Sequence, residues 1–252
     1  MTDELQLLKK RFIELAKKSH GSGIFLFTDF LGLGEQSAFE EITGEIRGIP
    51  YSVFGGAVGT ERVMIRFGDP EQLYYEEPFP IRCLLVEPLS DKYADSFTHR
   101  DFLGAILNLG IERSKLGDIV IRDKSAYVFA TEEIAKFIEK ELTRVKHTDV
   151  KVSFPDSVPE GELYRTQRHR IVLSGERIDA AIAKLYHLSR DEAKALFDRG
   201  RVFVGGKEST SPSKQPKDGD IISVRGYGRF IYVGKEGDTK KGKASVLLDV
   251  FV

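Results

Sequence analysis

Arg177-Ile178-Asp179-Ala180-Ala181-Ile182-Ala183, Leu188-Ser189-Arg190-Asp191-Glu192-Ala193 and Gly200-Arg201-Val202-Phe203-Val204-Gly205-Gly206-Lys207 follow one another in this order, and their reading decides the C-terminal third of the chain. The spacing predicts two helices, over residues 177–186 and 189–199. Ser189 and Glu192 are placed as a capping box at the start of the second. Arg190 and Lys194, four apart, share one helical face, while Leu196 and Phe197 turn toward a core. Short strands are expected at 171–173, 202–204, 221–224, 230–233 and 245–250. The stretch 234–243 is charged and carries glycine, which predicts a mobile hairpin connection.

The chemistry offered by this stretch is that of anion binding. A capped helix start aims backbone donors and a positive dipole outward, a ready site for phosphate. Arg177 opens the first helix, and Arg201 follows the second across Gly200, so guanidinium groups suited to bidentate phosphate contacts gather there. The candidate RNA-contacting set is Arg177, Asp179, Ser189, Arg190, Lys194, Arg199, Arg201, Lys207 and Arg225. The same residues also admit a plainer reading as solvated ion pairs, Arg177 with Asp179 or Asp198 and Arg190 with Asp191. Charge separates along the chain: residues 165–252 hold 18 Lys and Arg against 11 Asp and Glu, a net +7. That leaves 20 against 28, a net −8, for residues 1–164, and together they restore the chain's −1. A basic end on an acidic body suits a polyanion partner.

Working outward, residues 155–169 read as a proline- and glycine-punctuated linker, starting from Phe154-Pro155-Asp156-Ser157-Val158-Pro159-Glu160-Gly161. Before it, residues 78–154 alternate in type. A strand at 81–86, a helix at 98–109 capped by Thr98 and Asp101, strands at 118–121 and 126–130, a helix started by Thr131 and a strand at 150–154 make βαββαβ. That is the ferredoxin-like order also used by the common RNA-recognition fold. Residues 1–77 open with an amphipathic helix marked by Leu5, Leu8, Phe12, Leu15 and Ala16 and stopped by Gly21 and Gly23. Its lysines, Lys9, Lys10, Lys17 and Lys18, are expected on a solvated face. A second helix covers about 35–46, and strands at 51–54 and 62–67 flank Gly55-Gly56-Ala57-Val58-Gly59. The fold class is α+β in three small domains: an N-terminal α+β domain (1–77), a ferredoxin-like domain (78–154) and the basic C-terminal domain (170–252).

Composition excludes several classes. With 41% hydrophobic and 31% charged residues the chain reads as soluble and globular, not fibrous or disordered. Met1-Thr2-Asp3-Glu4 lacks the basic start of a secretory signal, and no apolar run is long enough to span a bilayer. A lone cysteine, Cys83, in an apolar run rules out an intrachain disulfide and fits a reducing, cytoplasmic setting. His20, His99, His147, His169 and His187 are scattered without metal-ligand spacing, so neither metal nor cofactor is expected. His99 reads as a capping or packing residue rather than a base. Tyr127 and Phe129 share the strand face on which an RNA-recognition fold stacks bases, yet core packing is the better reading.

The C-terminal stretches quoted above, completed by Lys217-Asp218-Gly219-Asp220-Ile221-Ile222-Ser223-Val224, resemble the S-four domain, named for the fourth protein of the small ribosomal subunit. Gly206 stands where asparagine is common in that family, and glycine takes the same positive φ. Thr98-His99-Arg100-Asp101-Phe102-Leu103-Gly104-Ala105-Ile106-Leu107-Asn108-Leu109-Gly110-Ile111 with Gly117-Asp118-Ile119 resembles the middle of the YlmH family. Asp29-Phe30-Leu31, Glu35-Gln36, Phe54-Gly55-Gly56 and Gly59-Thr60-Glu61-Arg62 resemble its N-terminal part, with Gly34 a departure. The resemblance implies a non-enzymatic, ribosome-associated protein. Its module would dock on large-subunit ribosomal RNA near transfer RNA and assist the handling of stalled nascent chains, with a weaker implied link to cell division. No partner fixes its oligomeric state, and a monomer is expected.

Two other classes compete. The same module is appended to pseudouridine synthases and RNA methyltransferases, so residues 1–164 could be catalytic. However, the one Arg-x-Asp, Arg177–Asp179, lies in the binding module, and the glycines after residue 54 lead into a strand rather than a phosphate-cradling helix. Alternatively, residues 1–164 bind a protein partner and the RNA contact only localises it.

Overall fold

The computed structural model describes residues 3–90, 92, 95–158, 164–239 and 242–251. The chain divides into two compact units, Met1–Leu163 and Tyr164–Val252. In the first, α1 (Asp3–Ser22) turns Phe12 and Ala16 onto a core shared with Phe39, Ile42, Ile65 and Phe67. Helical spacing of apolar residues dictates that face, and Gly23 at φ +63° ends the helix in a conformation glycine adopts without steric cost. There follow β1 (Leu26–Phe27), α2 (Leu33–Ile42), β2 (Tyr51–Phe54), β3 (Met64–Phe67) and α3 (Pro70–Leu73), the strands forming an antiparallel sheet ordered β1-β3-β2. One expectation fails: Lys9 is buried, its ammonium 2.5 Å from the Glu41 carboxylate on α2. A partner 32 positions away in sequence holds it there.

The same unit continues with β4 (Ile81–Pro88), α4 (His99–Leu107), β5 (Leu116–Arg122), β6 (Ser125–Thr131), α5 (Glu132–Glu141), β7 (Arg144–Val145) and β8 (Thr148–Ser153). The sheet order is β5-β6-β4-β8-β7 with every neighbour antiparallel. Its first four members stand in the order that the split βαββαβ pattern requires. Period-two alternation sends Leu84, Val86, Ala126, Val128 and Ala130 to the helix side, where Phe102, Ile106 and Ile138 cover them. The Thr98 N–H donates to Asp101 Oδ2 at 2.7 Å, closing the expected capping box. Thr131 does occupy the N-cap of α5, though its side chain makes no cap bond.

The second unit is one six-stranded antiparallel sheet backed by two helices. Its elements are β9 (Thr166–Leu173), α6 (Ile178–Leu185), α7 (Arg190–Asp198), β10 (Val202–Val204), β11 (Lys207–Glu208), β12 (Ile221–Val224), β13 (Gly228–Asp238) and β14 (Ala244–Phe251). They are ordered β11-β10-β12-β13-β14-β9. Ile222, Phe230, Val246 and Leu248 meet Ile178, Ile182, Leu196 and Phe197 across the sheet–helix core. Gly205 (φ +57°) and Gly206 (φ +81°) form the β10–β11 hairpin, whose tight turn needs positive φ at both central residues. Two expectations change. β9 begins at Thr166, inside the stretch read as linker, and β13 runs through Asp238 where a mobile loop was expected. Register shifts at Tyr232/Gly234 and Lys235/Gly237 let that glycine-bearing stretch stay paired with β14.

Candidate nucleic-acid interface

The helix pair of the second unit is organised from α7 outward. Ser189 Oγ accepts the Glu192 N–H at 3.2 Å, and Glu192 Oε2 accepts the Ser189 N–H at 2.7 Å. Hydrogen bonding from the Ser189 side chain first, and from its backbone N–H second, holds the Glu192 carboxyl below its ordinary pKa. With the first turn fixed, Arg190 and Lys194 are both exposed. Arg190 leans on Ser174, its guanidinium 3.3 Å from the hydroxyl, rather than pairing with Asp191. Lys194 stands 3.9 Å from Asp191, itself 97% exposed, so that pair is worth little. Between β9 and the two helices runs a groove of about 450 Å3, floored by Ala180, Ala183 and Leu188 and rimmed by Lys184, His187 and Arg190.

Arg177 behaves differently from its neighbours. Its Nε donates to Asp179 Oδ1 at 2.9 Å and its Nη2 to Asp179 Oδ2, a bidentate pair. Asp179 is completely buried, which removes it from the residues able to touch RNA. Its role is to aim Arg177, whose side chain keeps 34% exposure. The pairing, through the hydrogen bond first and the charge second, raises the Arg177 pKa further. A guanidinium fixed on one edge offers its remaining N–H groups with less rotamer entropy to lose.

The nine candidates do not form one cluster. Arg199 caps the C-terminus of α7, and Lys207 pairs with Val204 at the outer edge of the sheet. Arg225 donates its backbone N–H to Arg201 O at 2.9 Å, so the two lie side by side at the ends of β12 and β10. Alternation places them with Phe203 on the side of the sheet away from the helices. The Arg225 guanidinium lies 4.8 Å over the Phe203 ring. On the same side Arg229 sits 4.4 Å from the Tyr164 ring centre and 4.0 Å from that of Phe251. Sequence reading missed these three residues. Tyr164 lies at the linker and Phe251 at the end of the chain, and only the β13–β14 register brings them together.

The motifs of the first unit converge on a structural joint. Asp118 accepts the Glu61 N–H at 2.8 Å and the Arg62 N–H at 2.9 Å. Arg62 in turn donates to the carbonyls of Leu116 at 2.8 Å, Phe30 at 2.9 Å and Arg113 at 3.3 Å. Arg113 is partly desolvated beside Arg62, which lowers its pKa to about 10. Gly56, at φ +100°, abuts Phe129: an added Cβ would lie 2.4 Å from the ring. Phe129, expected in a core, is fully buried, and Tyr127 is half-buried. His99 is exposed on the first turn of α4, where Thr98 and Asp101 do the capping. Among the described residues no three His, Cys, Asp or Glu side chains converge as metal ligands, and no helix is long and apolar enough to cross a membrane.

The chain is similar to several known proteins. A family model described as a putative RNA-binding domain in YlmH matches residues 76–157. The ribosome-associated protein quality control protein P2 of Bacillus subtilis is 32% identical over 232 residues, 88% of this chain and 86% of that protein. Small ribosomal subunit protein uS4 of Thermosipho africanus is 33% identical over 67 residues, 26% of this chain and 32% of that protein. Among solved structures, cell division protein ylmH from Streptococcus pneumoniae superposes with a TM-score of 0.51 at 19% identity, over 62% of this chain and 93% of that one. At that identity the likeness speaks for the fold alone.

Proposed function

The chain belongs to the YlmH family of S-four-type RNA-binding proteins, and from that premise we propose that it docks on ribosomal RNA of the large subunit through its α6–α7 face. The observation that carries this reading is the convergence of a capped α7 start with exposed Arg190 and Lys194 and the aimed Arg177. Those are the groups a folded RNA backbone selects. Arg199 and Lys207 extend the same contact. The name of the Bacillus subtilis relative supports a place in ribosome-associated quality control, and a position near transfer RNA with a role on stalled nascent chains completes the proposal. A link to cell division, implied by the family resemblance, belongs to the same proposal. In this reading the protein is not an enzyme, acts in the cytoplasm as a monomer, and comprises modules at residues 1–77 and 78–154 followed by the C-terminal unit from Tyr164.

The test is co-sedimentation with ribosomal particles through a density gradient across a salt series. Wild type should travel with the large subunit, and Arg177→Ala with Arg190→Ala should be lost at modest salt. If both stay at the top of the gradient, the ribosome is the wrong target. A second reading, that residues 1–164 recruit a protein, has one observation in its favour. β2 lies at the edge of its sheet with Tyr51, Val53 and Phe54 exposed, a template for strand addition. Retention of a protein partner by the full chain after ribonuclease treatment would support it.

A further inference from the structure

The helix-free face of the C-terminal sheet carries arginines set over aromatic rings, of which Phe203 is itself buried. They stand at two places, Arg225 over Phe203 and Arg229 between Tyr164 and Phe251. In the ladder Phe203 stands opposite Ser223, which stands opposite Arg229, so both stacks occupy neighbouring rows of one surface. Arg201 adjoins Arg225 at the ends of their strands, and both are exposed. On β9, Arg168 is held by Asp249 through two bonds of 2.8 Å, and Arg170 by Glu236 at 2.6 Å. Both of these guanidinium groups are also more than half exposed. Five arginines therefore face Glu208, Glu236 and Asp249 on this surface, an excess of positive charge.

We propose that this face is a second RNA surface, distinct from the helix face, and that it binds an unpaired strand. A guanidinium plane whose inner side rests on a ring presents its outer side to a nucleobase, extending the stack by one layer. Arg225, exposed over Phe203, supplies such a plane, and Arg229, wedged between two rings, adds charge beside it. Arg168, Arg170 and Arg201 lie around them, where the backbone phosphates of the strand would run. A duplex hides its bases within its own stack and cannot use this plane, so the chemistry selects single-stranded RNA. The protein would then hold a folded RNA with one face and an adjacent unpaired segment with the other.

The experiment titrates the full chain against two fluorescent probes, a ten-nucleotide oligouridylate and a closed hairpin RNA. Arg201→Ala with Arg225→Ala should weaken oligouridylate binding about tenfold and reduce its salt slope by about 1.4, leaving the hairpin within about twofold. Arg190→Ala with Lys194→Ala should do the reverse. Arg225→Lys keeps the charge without the plane; it should keep the salt slope and still lose affinity. An unchanged oligouridylate affinity in the Arg201/Arg225 variant overturns the proposal, as does an equal loss in both double variants. Hairpin binding without any oligouridylate binding overturns it too, while leaving the helix-face reading intact. Circular dichroism of each variant confirms that the fold is retained.

Discussion

Two sheets in this molecule each have one face covered by helices and one face free of them, and both free faces carry aromatic side chains. On the sheet of the middle segment, Phe129 is sealed by the chain itself: Gly56 presses against the ring and Gly117 lies against its Cβ. On the C-terminal sheet, Phe203 is as buried as Phe129, but guanidinium groups lie over its ring and over those of Tyr164 and Phe251. An aromatic on an outer sheet face thus has two fates. Where the chain brings glycine close, the ring becomes core. Where it brings arginine, the ring becomes the base of a charged layer that can hold a polyanion.

The comparison is broken most forcefully at Gly56. Gly56→Val would drive a Cβ into Phe129 from a backbone at φ +100°, and should destabilise the first unit by about 3 kcal/mol. Chemical denaturation followed by circular dichroism would check this; a variant as stable as wild type would show that Gly56 is not the seal. Less energy is at stake at Asp179→Asn. It removes a negative charge from a basic unit, so simple electrostatics expects tighter RNA binding. Because the carboxylate aims Arg177, affinity for the hairpin should instead fall about three- to tenfold, the cost of leaving one guanidinium unfixed. Tighter binding would remove the positioning role. Cys83 sharpens the contrast without altering the protein. It stands opposite Phe129 in the β4–β6 ladder, and burial pushes its thiol up to about 12. A raised thiol pKa keeps the neutral form below that pH, so iodoacetamide at pH 8 should label it about a thousandfold slower than a free cysteine. Rapid labelling would mean that the half-buried thiol is not desolvated enough to keep its proton.

Periodicity made much of this legible. The βαββαβ order, the two capping boxes and the pair of helices after residue 176 follow from spacing alone, because each is decided within a few residues. What failed depended on partners far along the chain. Lys9 looks like a solvated lysine until Glu41 arrives across α2. Thr166-Gln167-Arg168-His169 reads as linker because only Ile171 and Leu173 of β9 enter the core. Residues 234–238 read as loop because glycines mark turns, whereas here they permit bulges in a long strand. The candidate site shows the same limit. Ser189, Arg190 and Lys194 were found from helical spacing, but the position of Arg201 and Arg225 on the opposite face required the strand register.

The joint at Asp118 bears on inheritance. The C-terminal unit closes its own core, as a module appended to unrelated chains must. The middle stretch cannot travel that way. Cut from residues 1–75 it would carry Phe129 bared and Asp118 without the two backbone donors it serves, a loss that descendants would have to mend before they could use it. Those two stretches of sequence are therefore bound to be passed on together.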